Sequence, residues 1–328
     1  MRITAIGDTH FRVDNINIVE ILIQKIVELL RENPPDLIVL LGDILHDHER
    51  LHTIAMNKAY EFITLLRDIS PVYILVGNHD MINHDQFLTD NHWMNALKHW
   101  ENVTIIDKVL HLEVEGKDLL FCPFVAPGRF IEALETHNFD WKDSDVIFAH
   151  QEFKGCKMGA IISEIGDEWD LDNPFVISGH IHSKQTPQDN IFYTGSSMQV
   201  AYGESENNII LDLNLDDSIE LQEHILDIPR KKIIYIDIDQ FESFELNNSK
   251  DYIKLTIKGN YEDFKMLKKS KKYKKLMKDG VKISYKHQTI EKTTKKIHET
   301  TDFQNILEEL IKKEENLFLQ KAFNIING

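Results

Sequence analysis

The chain has 328 residues, 42% of them hydrophobic, and a net charge of −17 at neutral pH. That is apolar material enough for a substantial core, while the absence of any uninterrupted 18-residue apolar window argues against a membrane span. The N-terminus, Met-Arg-Ile-Thr, enters an apolar run without a secretory h-region, and Cys122 and Cys156 form no metal-type pair, so a reduced, intracellular, cytoplasmic setting is expected.

In chain order, the first 215 residues alternate strand-like and helix-like patterns. Ile3–Ile6 is a short apolar strand, and Ile18–Leu30 has helical apolar spacing that Pro34 and Pro35 stop. Leu37–Leu41 and Val72–Val76 are continuous apolar runs, as in strands buried on both faces. His52–Leu66 and Phe87–Trp100 read as helices. Shorter strands follow at Val103–Ile106, Leu119–Phe124, Val146–Phe148, Phe175–Ile177, Ile191–Thr194 and Ile209–Leu213, with Cys122 as core filling in the second of them. The pattern predicts an α/β fold of sheets flanked by helices, an α+β sandwich.

At Asp216–Ser218 the pattern breaks. Strands are expected at Ile233–Ile238, Tyr252–Ile257 and Val281–Tyr285, with a Lys-rich helix over Tyr261–Lys278 whose Tyr261, Phe264 and Tyr273 point to its core. An amphipathic helix over Asp302–Ile325 ends the chain, opened by a Thr301/Gln304 capping box. The division this suggests is a catalytic domain over 1–218, a small α+β domain over 219–298 and a terminal helix over 299–328. Sixteen lysines against five acids put residues 250–298 at +11, so the remainder carries −28. Such segregation marks Lys268, Lys269, Lys271, Lys272 and Lys275 as a phosphate-backbone contact, or else as a solvated helix face.

Five short motifs carry the chemistry, each directly after a strand-like run: Gly7-Asp8-Thr9-His10, Gly42-Asp43-Ile44-Leu45-His46, Gly77-Asn78-His79-Asp80, Ala149-His150-Gln151 and Gly179-His180-Ile181-His182. Ligands of an open α/β sheet bind beyond the carboxyl ends of its strands. Carboxylate, imidazole and amide oxygen are donors for Mn, Fe or Zn. Any one motif alone has an ordinary reading as a turn or loop; five in order, each at a strand end, point to one shared metal site. The other histidines, His48 and His92 among them, read as surface or packing residues.

The ordered set resembles the calcineurin-like metallophosphoesterase superfamily, and within it the SbcD/Mre-type DNA repair nucleases. The His three residues after Asp43, the Gln after His150, and the stretch Tyr193-Thr194-Gly195-Ser196-Ser197 with Gly203-Glu204 favour that branch, although Thr194 stands where those nucleases have Pro. The resemblance covers about residues 1–215. It implies two divalent ions, Mn2+ first with Fe or Zn as alternatives. Asp8, His10 and His182 would hold one, Asn78, His150 and His180 the other, and Asp43 would bridge them. His79 would contact the scissile phosphate and assist the leaving oxygen, Asp80 would orient His79, and His46 would position the DNA backbone. Also implied are a DNA exo- or endonuclease acting on DNA ends, an SbcC-type coiled-coil ATPase partner docked by the terminal helix, a homodimer, and the host cytoplasm if the chain is viral. The alternative is a stand-alone phosphodiesterase or phosphatase acting on a small molecule or a phosphoprotein.

Overall fold

The computed structural model describes residues 1–287, apart from 49, 84, 217 and 247–249, together with Ile311. The terminal helix expected over Asp302–Ile325 lies outside the described residues. Most strands form where the sequence is continuously apolar or alternates, the short β8, β9 and β11 being exceptions: β1 (Arg2–Ile6), β2 (Leu37–Leu40), β3 (Val72–Leu75), β4 (Val103–Ile106), β5 (Leu110–Val114), β6 (Lys117–Cys122), β7 (Val146–Ala149), β8 (Lys157–Met158), β9 (Ile161–Ile162), β10 (Phe175–Ser178), β11 (Gln185–Gln188), β12 (Ile191–Tyr193), β13 (Ile209–Leu215) and β14 (Ile219–Ile225). They build two six-stranded sheets, in the orders β14-β13-β1-β2-β3-β4 and β11-β12-β10-β7-β6-β5. Strands β1 to β4 are parallel, and so are β6, β7, β10 and β12. Antiparallel strands close both edges of the second sheet and the β14 edge of the first, whose other edge is the parallel strand β4.

Side chains alternate across each strand, and that alternation sorts the core into layers. Ile3, Ala5, Val39 and Leu75 of the first sheet pack with Leu119, Phe121, Phe148 and Ile177 of the second. On the outer face of the first sheet, Ile38, Leu40 and Ile74 meet the apolar stripes of α1 (Ile16–Glu32) and α2 (Thr53–Arg67). On the outer face of the second, Leu120, Ile147 and Val176 meet Trp141, Trp169 and Phe130 of α3 (Phe130–Leu134). The result is a helix–sheet–sheet–helix sandwich.

Residues 219–225 pair with β13 from Ile209↔Ile225 to Leu215↔Ile219, so the first sheet runs past the boundary expected at 218. A smaller three-stranded sheet follows, β15 (Lys231–Asp237), β16 (Tyr252–Gly259) and β17 (Lys282–His287), around Ile236, Leu255, Ile257 and Phe264. Met1–Lys286 is one compact unit, within which the small sheet keeps a hydrophobic cluster of its own.

Two predicted helices differ. Over Phe87–Trp100 only Trp93–His99 is helical, as a 3-10 turn. Residues 89–92 are held in turn contacts instead: the Asn91 N–H donates to Thr89 Oγ1, and His92 bridges to Met81 while its ring accepts from the Met94 N–H. The Lys-rich helix is two, α4 (Tyr261–Leu267) and α5 (Lys271–Lys278), because the Ser270 hydroxyl caps a new start by accepting from the Tyr273 N–H. Phe264 is core, but Tyr261 is exposed, against expectation.

Candidate active site

All five motifs sit at the carboxyl ends of β1, β2, β3, β7 and β10, and parallel order within each sheet brings those ends to one side. Asp8, His10, Asp43, Asn78 and His150 are buried there. Donor atoms of Asp8, His10 and His182 lie within 4.8 Å of one another, and so do those of Asp43, His150 and His180. Asp43 stands between the groups: its Oδ2 is 3.7 Å from His10 Nε2 and 3.4 Å from His150 Nε2. Asn78 Oδ1 is 3.0 Å from His150 Nε2 and 2.8 Å from His180 Nδ1.

The backbone is bent to achieve this. His10, Asp43 and His180 all have positive φ, of 45°, 52° and 77°. Side-chain-bearing residues rarely occupy that region, and they persist in it only where the surroundings hold them. The Asp80 carboxylate supplies the hold for Asp43. It accepts from the N–H groups of Asp43, Ile44 and Gly77 and from the Trp93 indole. This corrects the expected role of Asp80: it braces the second and third motif turns, and the His79 ring is oriented instead by the His46 carbonyl, 2.6 Å from Nδ1. Gly42, at φ +101°, leaves space that a Cβ would take from His150 Nδ1, 2.6 Å away.

Further side chains complete the site. His150 Nδ1 lies 2.6 Å from the Leu41 carbonyl and donates to it, which leaves Nε2 to face Asn78 and Asp43. Glu204 Oε1 lies 3.0 Å from His182 Nδ1, while Glu204 Oε2 accepts from the Val200 and Ala201 N–H groups. Glu152 Oε2 lies 3.9 Å from His180 Nε2. Carboxylates behind imidazole ligands fix tautomer and orientation. Glu152 carries no sequence signal of its own beyond following the His150-Gln151 pair, whereas Gly203-Glu204 stood in the resemblance. His48, expected to be peripheral, has its ring stacked on His79 at 4.3 Å. His46 stacks on the same ring at 5.3 Å and touches His10.

Electrostatics define what the cluster lacks. Burial, with Asp43 nearby, pushes Asp8 up to about 6, and burial with His150 nearby takes His180 down to about 3. Burial opposes charge on His150 too, but Asp43 and Asp8 outweigh it and lift that ring to about 9. Asp8 Oδ2 is buried without a hydrogen-bond partner, and His10 Nε2 points at His182 Nε2 from 2.9 Å. Converging imidazoles and an orphaned carboxylate oxygen fit divalent cations held by Asp8, His10, Asp43, Asn78, His150, His180 and His182.

The donors open into a cleft of about 790 Å³, lined by Asn78, His79 and His180 and walled by residues 157–160 and 202–205. Elsewhere, Lys271, Lys272 and Lys275 line a groove of about 540 Å³ with Phe244 and Leu246. Lys268 lies over the Phe264 ring and Lys272 donates to the Glu242 carbonyl, so part of the lysine cluster serves its own domain, while Lys269 is exposed.

A two-sheet sandwich with Asp, His and Asn donors at five strand ends defines a metal-dependent phosphoester hydrolase. Residues 1–184 match the calcineurin-like phosphoesterase family model, and the chain belongs to that family. It is 50% identical over 278 residues to "Putative phosphoesterase 244L" of Invertebrate iridescent virus 6, covering 82% of this chain and 98% of that one. Its likeness to the 078R protein of Invertebrate iridescent virus 3, similarly named, is 44% over 287 residues, 86% of this chain and 83% of that one. A solved archaeal phosphodiesterase superposes with a TM-score of 0.38 at 16% identity, over 69% of this chain and all of that one, too loosely to inform the site. Members of the family use divalent metal ions, and no described helix is long and apolar enough to cross a membrane.

Proposed function

We propose that the chain is a metal-dependent nuclease that hydrolyses phosphodiesters at DNA ends, working as a homodimer with an SbcC-type coiled-coil ATPase. The observation that carries this reading is the position of His79. Its ring lies in the open cleft beside the donors, stacked between His46 and His48 and edge-on to His10. Its donor atom also lies within 4.8 Å of those of His10 and His46; exposure to the cleft is what supports reading it as the group that meets the diester.

Bound at the seven donors, two divalent ions would lower the pKa of a water and withdraw charge from the phosphate. The chain's own residues do the rest. Asp43, between the two donor groups, holds them in register, and its Oδ1 accepts the His79 N–H at 2.8 Å, which fixes the backbone of His79 to the centre. The His79 Nδ1–H donates to the His46 carbonyl, so Nε2 is the nitrogen that takes and gives the second proton. Burial lowers the pKa of His79, with Asp43 opposing. A phosphodiester anion beside the ring would raise it again and favour the imidazolium, which can protonate the departing oxygen.

The acidic net charge favours a second reading, a stand-alone phosphodiesterase or phosphatase, because an acidic body repels free DNA. The decisive measurement compares Mn2+-dependent hydrolysis of blunt and recessed oligonucleotide duplexes with that of a generic aryl phosphodiester and an aryl phosphomonoester. Cleavage of duplex ends supports the nuclease. Turnover of the small esters with intact DNA would establish the second reading.

A further inference from the structure

Between β7 and β10 the chain leaves the catalytic sheet to form a hairpin, β8 and β9, that neither the fold nor the metal donors require. Lys157 pairs with Ile162 and Met158 with Ile161, across a turn at Gly159-Ala160 where Gly159 sits at φ +64°. Its root is fixed. The Gly155 N–H donates to the Ser163 carbonyl and the Ser163 N–H to the Cys156 carbonyl, each at 2.8 Å. The Gln185 side chain both accepts from the Lys157 N–H and donates to its carbonyl. Ser163 also bonds the buried Glu152, the carboxylate behind His180.

The tip is the opposite of its root. Ile161 is 66% exposed and Ile162 57%, and Met158 is exposed as well. Lys157 pairs with no carboxylate among the described residues. Apolar side chains held in water on a braced support cost solvation and give nothing back to this fold. Met158 stands in the wall of the active-site cleft, with Lys157, Gly159 and Ala160 and together with Asn78, His79 and His180, and Ile161 lies opposite Met158 across the hairpin.

We infer that this hairpin is the substrate-recognition wall for a nucleic-acid strand: Lys157 neutralises a phosphate flanking the scissile one, and Met158, with Ile161 paired opposite it on the same face, packs against the adjoining unstacked base. The inference rests on the nuclease reading and deepens it. A nucleic acid is the occupant that joins both chemistries at this spacing, since each phosphate is followed by a base with a flat apolar face. Single strands are held by such pairing of positive charge with ring-face contact, without sequence preference. A small phosphate ester would reach the donors and leave the hairpin tip in water.

The test uses the full chain supplied with Mn2+, two variants (Lys157→Ala and the double Met158→Ser, Ile161→Ser) and two substrates, a generic aryl phosphodiester and an oligonucleotide carrying 2-aminopurine beside the cleavage site. Lys157→Arg serves as the conservative control. Both variants should hydrolyse the aryl ester as the parent does. On the oligonucleotide KM should rise about tenfold or more, the scale set by removing the support of one stacked base, with kcat little changed. The fluorescence rise that reports an unstacked base should vanish in the double variant, and Lys157→Arg should bring KM most of the way back from its value in Lys157→Ala. If the parent cleaves the oligonucleotide and both variants match it, the hairpin inference is overturned and the nuclease reading stands. If the parent cleaves only the aryl ester, the nuclease reading falls and takes the inference with it. If a variant loses both substrates together, the hairpin is structural and the inference is likewise overturned.

Discussion

At the scale of the residue, the proposed function assigns one set of groups to hold cations and His79 to meet substrate, and the two classes should then fail differently. Asp43 lies within 3.7 Å of both His10 and His150 ring nitrogens, so Asp43→Ala should lose bound metal and hydrolysis together. Metal analysis alongside aryl-ester turnover checks this; an active Asp43→Ala enzyme would remove the residue from the centre. His79→Asn should keep both metals and lose activity by about 100-fold or more, the usual weight of a positioned proton donor. Loss of metal in that variant would make His79 a ligand. Asp80 shows how far a motif can be read. Its place in Gly77-Asn78-His79-Asp80 suggested a partner for the imidazole next door, yet its oxygens accept from four backbone N–H groups and an indole. The reason is backbone geometry: Asp43 at positive φ needs an anchor, and a buried carboxylate needs donors.

At the scale of the element, helices α4 and α5 put the lysine run on a small sheet. Lys268 and Lys272 make contacts within that sheet's own domain, whereas Lys271 and Lys275 line an open groove. Reversing the charge of the Lys268–Lys275 run should weaken DNA binding at every sequence and flatten the fall of log affinity with log salt, by about 0.9 for each phosphate no longer neutralised. Binding measured at several salt concentrations decides it: an unchanged slope would make the run a solvated helix face. The Ser270 cap that splits the expected single helix was present in the sequence, but its signal was masked by lysines good for helix on both sides.

At the scale of the whole molecule, metal and proton compete. Metal binding needs an ionised carboxylate and neutral imidazoles. Asp8 is pushed up to about 6 and His150 to about 9. Between those values each binding event must displace a proton from His150, and below about 6 it must displace one from Asp8 as well. Added Mn2+ should therefore raise the melting temperature at about pH 7.5, by the stabilisation expected of a ligand that binds only the folded chain. The rise should shrink as pH falls through about 6, where Asp8 takes up its proton. An equal rise at about pH 5 would show that neither group faces the ion. The tail offers a second test at this scale. Every proposed donor lies between Asp8 and His182, so deleting residues 300–328 should leave aryl-ester hydrolysis and thermal melting intact while abolishing capture of the ATPase partner. A truncated chain that aggregates would make the segment part of the fold instead.

What the sequence determined by itself was the chemistry and its place in the chain. Buried parallel strands are continuous apolar runs, and a donor placed directly after such a run is delivered to the carboxyl end of a sheet, so Asp8, His10, Asp43, Asn78, His150, His180 and His182 could be picked out in order. Tertiary structure decided everything that depends on residues distant in sequence. Glu204 reaches His182 across 22 positions and Trp93 reaches Asp80 across 13, neither with any local period to announce it. Strand β14 pairs with β13 beyond the point where composition reads a break, and β8 and β9 are too short to carry an alternation at all. Periodicity is a property of neighbours along the chain, whereas the bracing of a ligand and the wall of a cleft belong to segments that meet only when two sheets close on one core.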